Sequence, residues 1–76
     1  MVRAFIMVKA ATGETKTLSE TLGGVDHVTE ANVVAGDFDV IVEAEAGEVY
    51  EIIDSVSARI RELESIVDTK TYICLE

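Results

Sequence analysis

Residues Val2 to Lys9 alternate as a strand with two apolar faces, Ala4, Ile6 and Val8 on one and Phe5 and Met7 on the other. Such a strand needs cover on both sides. The chain has 76 residues, enough for one small domain (1–76) and too few for a second core or a separate catalytic lobe. A domain of this size buries only about 60% of the surface of its unfolded chain. One cysteine and no proline or tryptophan leave no intrachain disulfide to staple it, so oligomerisation is the expected remedy.

The remaining elements say how the first cover is made. After Ala11-Thr12-Gly13 breaks the strand, Leu18 and Leu22 at i, i+4 mark a short helix that ends at Gly23-Gly24. Val25 to Ala35 alternates imperfectly, with its strand-like run from Val28 to Ala35. Phe38 to Ala44 forms a third strand, with Phe38, Val40, Val42 and Ala44 on one face and Ile41, Glu43 and Glu45 along the other. Val49, Ile52, Ile53, Val56, Ile60 and Leu63 make a core stripe at helical spacing. Glu48 and Glu51 stand near the positive end of that helix dipole, and Arg59 and Arg61 near the negative end. Ile66 to Leu75 closes the chain as a fourth strand. The order is βαββαβ, the α+β ferredoxin-like arrangement: a four-stranded antiparallel sheet with two helices on one face. The other face then stays apolar and bare, and the equivalent sheet of a second subunit is the simplest cover.

Charge excludes partners more sharply than it names them. Fifteen acidic and six basic residues give a formal charge of −9, which repels a phosphate backbone, so no direct nucleic-acid partner is expected. Solubility or a halophilic source accounts for an acidic surface equally well. No apolar run approaches the roughly 20 residues of a membrane span, and the first residues lack the pattern of a signal peptide. A lone thiol fits a reducing compartment, so a cytoplasmic protein is expected.

Ala35-Gly36-Asp37-Phe38-Asp39 carries the clearest chemistry. Gly36-Asp37 reads as a tight hairpin turn in which Gly36 takes a positive φ. Such a turn presents backbone N–H groups beside the carboxylates of Asp37 and Asp39, a pairing suited to a small zwitterion. It is equally complete as a turn and nothing more. His27 has no nucleophile or ligand cluster nearby in sequence and reads as a surface or sheet residue. Cys74 reads as a small apolar side chain. The pairs Asp37/Asp39 and Glu43/Glu45 lack the spacing of a metal site, and no cofactor is expected.

Four segments resemble the ligand-binding module of the Lrp/AsnC family, the RAM domain: Ala4-Phe5-Ile6-Met7-Val8-Lys9, Leu22-Gly23-Gly24-Val25, Val34-Ala35-Gly36-Asp37-Phe38-Asp39-Val40, and Thr69-Lys70-Thr71. The resemblance covers nearly the whole chain, and the hairpin motif is its most specific part. It implies a sheet-to-sheet dimer, assembly into an octameric or decameric ring, and an amino-acid effector held between neighbouring dimers. On the matching positions it implies Gly36, Asp37, Asp39, Thr69 and Thr71 as ligand-binding residues. Turn amides and threonine hydroxyls would face the α-carboxylate, and an aspartate the ammonium. Two features depart from the family pattern. No helix-turn-helix precedes the first strand, which resembles the stand-alone form, and Glu64-Ser65-Ile66 stands where Pro-Gly-Val is common.

Three functions fit these residues. The first is an effector-binding oligomer, not an enzyme, that modulates a DNA-binding Lrp/AsnC relative by binding or co-assembly. The second is a small dimeric ferredoxin-like enzyme with a pocket between sheet and helices drawing on His27, Tyr50 or Tyr72. The third is an assembly subunit without a ligand.

Overall fold

The structure, a computed structural model, describes residues 1–11 and 13–75, so Thr12 of the Ala11-Thr12-Gly13 break lies outside the described residues. In chain order the elements are β1 (Val2–Ala10), α1 (Thr15–Gly23), β2 (Val28–Val33), β3 (Val40–Ala46), a π-helical segment (Glu51–Ser57) running into α2 (Ala58–Arg61), and β4 (Ile66–Ile73). The sheet order is β2-β3-β1-β4, the expected ferredoxin-like arrangement. β1 is interior. It pairs antiparallel with β3 from Val2↔Ala46 to Val8↔Val40, and with β4 from Ala4↔Ile73 to Ala10↔Ile66, with an irregularity at Lys9/Ala10.

Alternation along these strands fixes the core. Ala4, Ile6 and Val8 of β1 and Val40, Val42, Ala44 and Ala46 of β3 are buried on one face, beneath Leu18 and Leu22 of α1 and Ile52, Val56 and Ile60 of the second helix. Branched aliphatic side chains on a pleated surface pack well against such a helical layer. Among the described residues no helix is long and apolar enough to cross a membrane.

Three expectations are corrected. The β2–β3 connection is not a two-residue turn: β2 stops at Val33, β3 begins at Val40, and Val34 N–H donates to Asp39 C=O at 2.8 Å across the span between them. Gly36 does not have positive φ; His27 (φ 75°) takes the left-handed conformation, just before β2. The reason is a competing use of Asp39. Its N–H donates to Val8 C=O at 2.9 Å and its Oδ2 accepts Ala10 N–H at 2.8 Å, which draws the start of β3 onto the end of β1 and leaves a longer span to close.

The helical stripe is the third correction. Ile52, Val56 and Ile60 are buried, but Val49 and Ile53 are 42% and 47% exposed. A π-helix closes i→i+5 hydrogen bonds, so it turns more slowly than the 3.6-residue period that placed all six apolar residues on one side. The half-buried Leu63 still packs against the core, and buried Ser57 takes part in the inward face.

Candidate functional site

The residues expected to bind a ligand divide between two places. Gly36 and Asp37 are exposed at the tip of the β2–β3 loop, and Asp39 is half-buried at its base. Asp39 ties the loop to β1 through Ala10 N–H. A carboxylate acceptor makes this a strong hydrogen bond and commits one of its two oxygens.

Thr69 and Thr71 stand on β4, on the far side of β1. Thr69 pairs with Val8, whose carbonyl also accepts Asp39 N–H, so Thr69 and Asp39 flank the same residue of β1. With neighbouring strands about 4.8 Å apart, the two lie roughly 10 Å from each other. Thr71 pairs with Ile6, and its Oγ1 is 3.1 Å from Ser57 Oγ, a hydroxyl contact that joins β4 to the π-helical segment. Thr69 also lines a surface cavity of about 360 Å3 together with Arg61, Ile66, Val67 and Asp68. One chain therefore gathers Gly36, Asp37 and Asp39 in a loop and sets the threonines apart from it.

The open face of the sheet is the other large feature. Its central row is Glu30, Glu43, Phe5 and Tyr72 from β2 to β4, and the adjacent row is Asn32, Ile41, Met7 and Lys70. Phe5, Met7 and Ile41 are half-buried and Tyr72 is 56% exposed. Charge is divided across this face. Glu30, Glu43 and Glu45 lie on β2 and β3, while Arg3, Lys9 and Lys70 lie on β1 and β4 beside a single acid, Asp68. Arg3 Nε is 3.9 Å from Glu43 Oε2, and its guanidinium stands 5.5 Å from the Phe5 ring centroid. A side-chain hydrogen bond with Cys74, together with the nearby Glu43 carboxylate, raises the Arg3 pKa above its ordinary value.

His27 Nε2 lies 3.7 Å from Glu51 Oε2, and Glu51 Oε1 accepts Glu48 N–H at 2.9 Å. This glutamate thus joins the left-handed turn before β2 to the start of the second helix. The layer between sheet and helices, where a small enzyme of this fold would open its pocket, is filled by the aliphatic core. Tyr50 and Tyr72 lie on the surface. Among the described residues no group of three or more His, Cys, Asp or Glu side chains could hold a metal ion.

Two constellations give no sign in the sequence. One is the hydrogen bond of Asp39 to a backbone amide 29 residues away. The other is a polar groove between the helices, set by the π-helical segment, whose presence no local residue pattern announces.

Residues 3–76 match the family model of the Lrp/AsnC ligand binding domain. No curated protein matches the chain. Among solved structures, a hypothetical protein from Pyrococcus horikoshii is similar at 33% identity and TM-score 0.89, over 100% of this chain and 92% of that one. The protein FFRP-DM1 is also 33% identical, with TM-score 0.88 over 99% of this chain and 100% of its own. A Neisseria meningitidis transcriptional regulator, solved as its L-Met complex, shares the fold at 12% identity and TM-score 0.72. The match takes in 99% of this chain and 50% of the regulator.

Proposed function

Because this chain belongs to the Lrp/AsnC ligand-binding domain family, we propose that it is an amino-acid effector-binding module acting as an oligomer, one that modulates DNA-binding relatives by association without itself contacting DNA. The observation that carries this reading is the family match over residues 3–76. The L-Met complex of the Neisseria regulator supports an amino acid as the ligand class, and the formal charge of −9 argues against direct contact with a nucleic-acid backbone.

The chemistry of the β2–β3 loop fits a division of labour between its two aspartates. Asp39 holds the loop on β1, whereas exposed Asp37 is placed to meet an ammonium group, with backbone amides around Gly36 offered to a carboxylate. Thr69 and Thr71 lie too far from the loop to share one small ligand within a chain. A ligand touching both sets would have to sit between chains, which couples binding to assembly.

For the assembly itself, the occupant of the open sheet face is a second copy. A two-fold axis parallel to the strands lays the β1/β4 half of one sheet over the β2/β3 half of the other. Arg3, Lys9 and Lys70 then oppose Glu30, Glu43 and Glu45 around the apolar centre. Each subunit is thereby complementary to itself.

Thermal-shift measurement with each of the twenty amino acids, followed by calorimetry on the strongest, tests the ligand. Asp37→Ala is expected to leave the fold intact and weaken binding by on the order of 1.5–3 kcal/mol, the size of a charge-assisted hydrogen bond. If no amino acid binds at millimolar concentration, or the variant binds as tightly as the original chain, the loop is a connection only.

A further inference from the structure

Between the end of α1 and the second helix lies a groove of about 320 Å3, lined by Gly24, Val25, Asp26, Asp54, Ser55 and Arg59. Its polar side chains are two carboxylates, a hydroxyl and a guanidinium. Among the described residues, Arg59 makes no ion pair with either aspartate beside it, Asp26 or Asp54. The residues that line this one cavity thus bring a cation and two anions to it.

The backbone explains why these groups meet. Asp54 and Arg59 are five residues apart, and in a regular α-helix that spacing sets side chains about 140° apart around the axis, too far to line one groove. The π-helical segment Glu51–Ser57 bonds i→i+5 and swings them toward the same side. Such turns are rare and collect at functional sites. Within the same segment Ile53 lies largely outside the core.

We propose that this groove is a binding site, within a single chain, for a small zwitterion bearing an ammonium and a carboxylate close together, the chemistry of an α-amino acid. The Arg59 fork takes the carboxylate in a bidentate pair, Asp54 and Asp26 take the ammonium, and Ser55 offers a further hydroxyl. An inorganic anion fits poorly, since two carboxylates flank the one cation. A divalent metal fits poorly as well, since Arg59 repels it. The site shares a ligand class with the β2–β3 loop but no residue, so either site can fail alone.

The test is a backbone-amide NMR titration of the full chain with glycine and L-serine, run beside acetate and methylammonium, which carry each charge singly. Saturable shifts are expected at Gly24, Val25, Ser55 and Arg59, with dissociation constants of roughly 1 mM and values at least about tenfold weaker for the two single-charge probes. Arg59→Gln and Asp54→Asn each change an exposed residue and should each weaken binding about tenfold while leaving distant resonances in place. Asp37→Ala should leave the groove shifts unaltered. Absence of saturation at these amides up to about 50 mM of either amino acid, or unchanged affinity in Arg59→Gln, overturns the groove. Shifts confined to residues 34–39 would overturn it too, while supporting the loop. Groove shifts without any loop response would do the reverse.

Discussion

The two faces of β1 are built from similar side chains and meet different fates. Ala4, Ile6 and Val8 are fully buried beneath the helices, whereas Phe5 and Met7, one residue out of phase, remain half-buried on a face for which the described residues supply no second layer. A strand's period of two makes this separation complete: what one face needs the other cannot lend. The first face holds the chain together, and the second is the one we propose for association. The β2–β3 loop repeats the division on a smaller scale, with Asp39 turned to the fold and Asp37 to solvent.

The largest effect is expected where the helix-covered face is opened. Ile6→Ala removes a fully buried side chain from the middle of the core and should cost about 2–5 kcal/mol of stability, read from urea denaturation. A loss no greater than that of a surface substitution would break the comparison. Met7→Glu, on the opposite face, should act on assembly. It sets a carboxylate between Ile41 and Lys70, and light scattering at micromolar concentration should show single chains that keep their far-ultraviolet circular dichroism, where the unsubstituted protein is expected to be a dimer. If Met7→Glu unfolds the chain outright, the two faces are not separable.

Within the loop the expected effects are smaller and equally ordered. Asp39→Ala strips Ala10 N–H of its acceptor and should destabilise by about 1–3 kcal/mol, with faster amide exchange at Ala10. Gly36→Val should change stability by no more than about 0.5 kcal/mol, because φ is not positive there and an added Cβ meets nothing within 4 Å. A cost of 1 kcal/mol or more at Gly36 would return that residue to the strained turn its sequence suggests.

What could be read from the sequence was whatever repeats locally. Ala4-Ile6-Val8 and Val40-Val42-Ala44 announce their strands by alternation, Leu18 and Leu22 announce α1, and their order leaves few topologies. Gly36-Asp37 misled because it has the composition of a two-residue turn, while the contact that decides the loop joins Asp39 to Ala10 across 29 residues. The stripe from Val49 to Leu63 follows a 3.6-residue period, whereas the backbone from Glu51 to Ser57 turns more slowly; Ile53 in that segment is exposed, and Asp54 and Arg59 line one groove. The expected binding residues could be located, but Thr69 and Thr71 lie across β1 from the loop, a separation that depends on strand order and that no spacing in the chain expresses.

The interior place of β1 also bears on how the protein is made. This strand comes first in the sequence, yet its two neighbours are β3 and β4, the latter ending at Ile73. During synthesis it has no partner until residues 40–46 have emerged, and one edge stays open until β4 follows. Closing such distant pairs is slow, and an unpaired edge flanked by apolar side chains invites contact with other nascent chains. A face proposed for assembly once the sheet is complete is thus a hazard before it is, and the last strand to arrive decides when one becomes the other.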